Sequence, residues 1–359
     1  MEMLSLSRRD GVKEVSCMNE SETVSKRIEW VDIAKGIAII LVCLGHRDIS
    51  SRLYSWIYSF HMPLFFFLAG YVTKFNSYTS FRAYAVRKVR VLLIPYFALE
   101  LVKTLFDFLV QLIRHEPFAL LERLGDVALG VGRDVGPMWF VPSLFVVEIV
   151  SYGLNRLPKW KLLAALILCL GGYALSVSSS STEVFWNLNN ALTGLFFFWF
   201  AHIFRGAGIN RKLVQGNFMF FFGVTAAHAL CLAVNPHVNM AAKQYGFFPI
   251  FLIEGIAGTL ALLCVCVWLE RLRYARRVLV YLGGNTLLIL AFHDHPGYLF
   301  VEKFFNRFLG APYDQNVYLE NIEPFLHVVC VLLLCVPIIE FVNRFTPWIV
   351  GKKRVKRAL

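Results

Sequence analysis

The sequence predicts an all-α, polytopic membrane protein with about ten transmembrane helices and both termini cytoplasmic. Three observations predict it. Hydrophobic residues fill 57% of the 359 positions and charged residues only 17%, against roughly 45–50% and about 25% in soluble domains. The apolar residues fall in runs near the roughly 17–25 that carry a helix across a bilayer. These runs lie near 31–47, 54–73, 90–113, 137–153, 161–178, 187–204, 217–234, 247–269, 278–295 and 325–343. Lys and Arg then sort by side: with a cytoplasmic N-terminus, 25 of the 36 lie on that side and 8 on the other, the positive-inside asymmetry.

That sorting excludes nucleic acid as a partner. The net charge of +12 is spread over loops, whereas nucleic-acid binding needs a basic face gathered on a folded module. The lipid bilayer is the partner it implies. Residues 1–26 are polar, with no apolar core, and read as a cytoplasmic tail rather than a cleaved signal. Residues 27–345 form the membrane domain, and 346–359 a basic cytoplasmic tail. Of eight Cys, Cys17 falls in the first tail and the others in spans. Cys264-x-Cys266 lacks zinc spacing, so neither disulfides nor a metal are expected. The longest outer segment, about 296–324, carries Pro296, Gly297, Gly310, Pro312 and Pro324 and reads as a lid or a re-entrant loop.

Ionisable groups inside spans are costly and mark function by default. In the first span, Asp32, Lys35 and Gly36 lead through an apolar run to Gly45 and His46. At about 100° and 1.5 Å per residue, Lys35 and His46 share a face within roughly 20° and stand about 16 Å apart along the axis. Asp32 neighbours Lys35 at i,i+3. A Lys35 that snorkels to the interface and a His46 that only caps the helix are the bland readings, and the shared face weighs against both. The second span places His61 roughly 10 Å from its outer end, in the same outer half as His46. Pro63 removes a backbone hydrogen bond there, and Phe65, Phe66 and Phe67 read as packing.

A basic connection follows, with Arg82, Arg87, Lys88 and Arg90, either topogenic or a phosphate site. The fourth span opens with Met138-Trp139-Phe140-Val141-Pro142 and carries Glu148 near the bilayer middle. The ninth holds Gly284-Asn285-Thr286 and, at its outer end, His293. His46, His61 and His293 therefore converge from three helices if those helices pack together. His202, His228, His237 and His327 show no such coincidence and read as structural.

Asp32-x-x-Lys35-Gly36-Ile-Ala-Ile with His46, followed by Ser59-Phe60-His61-Met62-Pro63-Leu64-Phe65-Phe66 and Ala69-Gly70-Tyr71, resembles the acyltransferase 3 family. The similarity is greatest to its fucose 4-O-acetylase-like and other polysaccharide O-acetyltransferase members. Arg87-Lys88-x-Arg90, Ile94-Pro95-Tyr96, Met138 to Pro142 and Gly284-Asn285-Thr286 before His293 extend it over nearly all of 27–345. The resemblance implies acetyl-CoA as acyl donor. It implies as acceptor a hydroxyl of a cell-surface or exopolysaccharide sugar, or of a lipid-linked saccharide precursor, and a bacterial inner membrane as location. The family's basic-residue/His motif maps onto Lys35 and His46, and its Arg-x-x-Arg onto Arg87 and Arg90. Many members have Arg where this chain has Lys35, which keeps the charge and loses the bidentate geometry.

Acyl transfer to a hydroxyl needs a base, for which His is suited near neutral pH, and donors for the developing oxyanion. On this reading His46, Lys35, Asp32 and His61 are the catalytic candidates. Lys35, Arg87, Lys88 and Arg90 are candidates for the coenzyme A phosphates, and Trp139, Glu148, Asn285 and His293 for the substrate or the oxyanion. A proton-coupled transporter is the rival from another class, although no internal repeat accompanies it. A translocator feeding a separate transferase, and a non-catalytic scaffold, are the remaining alternatives.

Overall fold

The computed structural model describes residues 28–131, 133–157, 159–179, 183–206, 217–308 and 317–352, and within them the chain is all-helical. The 1–26 tail and the residues beyond Lys352 lie outside that range. The helices are α1 (Glu29–Gly45), α2 (Ser51–Val72), α3 (Phe81–Lys88), α4 (Ile94–Arg114), α5 (Leu120–Leu129), α6 (Phe140–Leu154) and α7 (Lys161–Ser178). They continue with α8 (Leu188–Gly206), α9 (Phe218–Val234), α10 (Phe248–Leu269), α11 (Arg273–Gly283), α12 (Thr286–Phe292), α13 (Leu299–Phe308) and α14 (Val317–Phe345).

Among the described residues, four helical segments are long and apolar enough to cross a membrane: Val135–Leu154, Lys161–Ser178, Phe248–Leu269 and Ile322–Phe345. Arg273–Gly283 and Thr286–Arg307 have that length and composition together, as a pair bent by 67° that is either a broken span or a re-entrant loop. The other predicted spans are helices as well. α1 and α9 are 17 residues each, and α2, α4 and α8 carry more polar residues. The break at Gly284–Asn285 divides the ninth predicted span. Three helices lie outside every predicted span: α3, α5 and α13, each short and mixed in polarity.

Local chemistry sets the boundaries. Ser50 and Ser80 cap α2 and α3 by accepting from Leu53 N and Ala83 N, supplying partners for orphan amides. Gly130 ends α5 at φ +68°, a conformation glycine adopts without penalty. α4 is amphipathic in the inverted sense. Glu100, Lys103 and Thr104 are buried while Leu101, Leu105, Leu112 and Ile113 face outward, the arrangement a lipid solvent favours.

α1 packs on α11, α2 on α8, α8 on α7 and α10 on α9, with α10 also against α2. The closest crossings run through glycine. A Cβ on Gly36 would lie 2.2 Å from the Leu279 carbonyl oxygen, and one on Gly283 only 1.9 Å from that of Asp32. α1 and α11 are therefore in backbone contact, which fixes Asp32 and Lys35 against the body. Beyond α14, Pro347–Val350 form a turn that packs on α4, and Gly351 sits against Val91. These residues, expected in the tail, are part of the folded body.

Candidate active site

A cavity of about 920 Å³ runs along the α1–α2 hairpin. Tyr58 and Thr73 of α2 both line it, so it extends at least about 22 Å along that helix at 1.5 Å per residue. At one end stand Lys35, Thr73, Lys88, Glu148 and Val350; further along come His46, His61 and Tyr58. At the other end the wall is made by Asn187, Asn239 and Lys243, from the loops before α8 and before α10. Between the ends the wall is apolar, with Ile39, Val42, Phe65, Leu68, Trp139 and Phe140.

Lys35 and His46 open onto this one cavity, as their helical spacing predicts. His61 joins them from α2. His293 lies behind His46, fully buried, with ring centroids 5.1 Å apart. Each imidazole makes the same backbone bond. His46 Nδ1 meets Val42 O at 2.8 Å, His61 Nδ1 meets Ile57 O at 2.9 Å, and His293 Nδ1 meets Ile289 O at 2.9 Å. A carbonyl oxygen only accepts, so each Nδ1 donates in these bonds, and in the neutral ring Nε2 carries the lone pair. His46 both occupies the C-cap of α1 and presents its ring to the cavity. Its Nε2 therefore faces an accessible position with no part in that backbone bond.

Residues 28–340 match the acyltransferase 3 family, described as an acyltransferase domain. The chain belongs to that family. Nodulation protein NolL of Sinorhizobium fredii (strain NBRC 101917 / NGR234) is 32% identical over 167 residues, covering 41% of this chain and 43% of NolL. The chain thus matches less than half the length of this curated relative. No solved structure matches.

Several candidate residues of this chain have partners that the sequence reading did not foresee. Glu148, expected near the bilayer middle, lies beside Thr73 at the end of α2. It accepts hydrogen bonds from Lys88 Nζ at 2.6 Å, from Thr73 Oγ1 at 3.1 Å and from Tyr84 Oη. Its two oxygens are taken up by these three donors, so the carboxyl group is engaged by Lys88, Thr73 and Tyr84. Asn285 does not line the cavity. Its Oδ1 accepts from Lys352 Nζ at 2.7 Å and Asn343 Nδ2 at 3.0 Å, and its Nδ2 donates to Tyr281 O at 2.8 Å. It ties the helix break to the C-terminal turn, about 12 Å along the chain axis from His293, and so stands away from the histidines as an oxyanion donor.

Arg87 and Arg90 are exposed and stand outside the cavity wall, while Lys88 between them lines it. Asp32 is buried, 4.0 Å from Lys35 Nζ, and does not itself line the cavity. Among the described residues no group of His, Cys, Asp and Glu is arranged to hold a metal.

Tyr58 went unnoticed in the sequence. Its hydroxyl donates to Gly45 O at 3.0 Å, and its ring meets His61 edge-on at 4.8 Å. It also stacks on Tyr54 at 3.9 Å. Tyr54, Tyr58 and His61 follow i, i+4, i+7 spacing, one helical face, and that periodicity was the available signal.

Proposed function

We propose that this chain is an integral-membrane O-acetyltransferase that moves an acyl group, acetyl first among candidates, from acyl-CoA to a hydroxyl of a carbohydrate or lipid-linked saccharide. The observation that carries the proposal is the shared cavity: cationic side chains at one end, accessible His46 further along, and a polar mouth opposite. About ten spans with both termini cytoplasmic, in a bacterial inner membrane, would put the cationic end on the coenzyme A side. Lys35, Lys88 and the exposed Arg87 and Arg90 would then meet the phosphates, and the pantetheine arm would follow the apolar middle to His46.

In the proposed reaction the sugar hydroxyl attacks the thioester carbonyl carbon. The new C–O bond forms as the C–S bond breaks. His46 Nε2 takes the hydroxyl proton and returns it to the departing thiolate, which leaves as free coenzyme A thiol. His61 shares the cavity and His293 packs behind His46, so both shape the site of developing charge.

The test is purified protein with radiolabelled acetyl-CoA and soluble sugar acceptors. Ester product formed without a second protein supports the transferase. Label trapped on the chain supports a translocator instead, and full transfer by His46→Ala overturns the assigned base.

A further inference from the structure

Three of the four non-glycine residues with positive φ among the described residues lie at one place. Trp186 and Asn187 (both φ 48°) and Lys243 (φ 59°) all belong to the two loops that build the polar mouth. Left-handed backbone at non-glycine residues is strained, and such strain gathers at ligand clamps. Here it is over-determined by side-chain bonds. Ser143 Oγ donates to the carbonyls of Trp186 (3.2 Å) and Asn187 (3.1 Å), and Trp186 Nε1 donates to Ala128 O at 3.0 Å. Lys243 Nζ donates to Ser179 O at 2.6 Å.

Asn187 and Asn239 line the cavity on this scaffold. Asn187 Nδ2 donates to Gly130 O at 2.9 Å; Asn239 Nδ2 donates to Tyr54 Oη at 2.8 Å, and its Oδ1 accepts from Ala242 N at 3.1 Å. A carboxamide has two N–H donors and an oxygen with two lone pairs, so each retains hydrogen-bonding capacity toward the cavity. From Asn239 the contacts continue through Tyr54 and its stacked neighbour Tyr58 to His61. A polyhydroxylated ring held at the mouth therefore meets carboxamides at the rim and an aromatic face next to the histidines.

We infer that Asn187, Asn239 and Lys243 form the recognition site for the acceptor's saccharide ring. This rests on the acyl-transfer reading above, and it assigns acceptor specificity to two loops remote from the cationic end. In the attack already written, the rim would bind the sugar and present one hydroxyl to the imidazole and thioester; no additional reactant is required.

The experiment uses the full chain in nanodiscs, acetyl-CoA, and a panel of methyl glycosides. Asn187→Gly and Lys243→Gly each delete the side chain at a φ that glycine adopts freely, and Asn239→Ala is the third variant. Each is expected to raise acceptor KM about tenfold, the loss of one well-made hydrogen bond. Acetyl-CoA KM and acceptor-independent acetyl-CoA hydrolysis should be unchanged. Unchanged acceptor KM in all three variants overturns the site while leaving the acyl-transfer reading intact, as does an equal rise in donor KM. Wild-type protein that acetylates no glycoside overturns the acyl-transfer reading and this site with it.

Discussion

His46 and His293 meet edge to face, their ring centroids 5.1 Å apart and their planes at 81°. One ring lines the cavity and the other is sealed behind it, with no partner for His293 Nε2 among the described residues. In the proposed reaction the first is the base and the second its support. His46→Ala should lower the initial rate of acyl transfer by about 10²–10⁴-fold, the contribution of a positioned base. His293→Phe keeps an aromatic ring against His46 and should lower it only about tenfold. Rates measured on equal amounts of inserted protein check both, and equal losses would contradict the division.

Buried Glu148 pairs with half-buried Lys88 at 2.6 Å, with Thr73 and Tyr84 completing the carboxylate's shell. Removing one partner from a fully buried pair costs ~3–5 kcal/mol, because the other charge is left uncompensated, and the partial exposure of Lys88 brings the cost here below that range. Glu148→Ala should therefore lower the melting temperature of the solubilised protein sharply. Glu148→Leu combined with Lys88→Met should recover much of the loss.

A second buried cluster makes a different prediction. Glu100 accepts from Lys103 Nζ and Arg123 Nη2, each at 3.0 Å, and all three side chains are buried. One anion serves two cations, so Glu100→Ala strands two charges where Lys103→Met strands none. The expected order of destabilisation is Glu100→Ala well above Lys103→Met. A cost of about 3–5 kcal/mol for the former sets the scale, and thermal unfolding in detergent gives the order directly.

Glycine substitutions separate contact from propensity. Gly36→Ala must push α11 away from α1, since the new Cβ would sit 2.2 Å from Leu279 O. Overpacking of this kind costs at least ~1–3 kcal/mol and displaces Lys35 with its helix, so transfer activity should fall with stability. Gly125, inside α5, has nothing within 4 Å of its Cβ position. Gly125→Ala should stabilise by about 0.5–1 kcal/mol, with activity intact.

What could be read from the sequence follows from which signals hydropathy carries. The apolar runs locate helices well because a long buried helix leaves a long apolar string. The break at Gly284–Asn285 leaves that string uninterrupted, so the ninth run looks continuous although its two halves bend by 67°. α5 and α13 are short and amphipathic, and a hydropathy window averages their faces away. At the site, charge placed inside a span made Lys35, His46 and His61 visible. Asn239 and Tyr58 carry no such penalty, and only tertiary contacts with Tyr54 and Gly45 give them meaning. Glu148 was visible as a buried charge, but its partner Lys88 came from another helix. Asn285 shows the converse: a polar residue beside a glycine pair, whose bonds go to Asn343 and Lys352 rather than to a substrate.

The cavity wall takes Lys35 from the first described helix and Val350 from the last described turn. During biosynthesis the α1–α2 hairpin emerges long before the residues that will face it. On the ten-span reading, Lys35, His46 and His61 stand in the bilayer without their opposing wall until α6, α12 and the Pro347–Val350 turn arrive, a costly state for polar groups in hydrocarbon. A chain stalled before residue 347 therefore lacks part of the cavity wall, and those uncovered side chains mark it as unfinished.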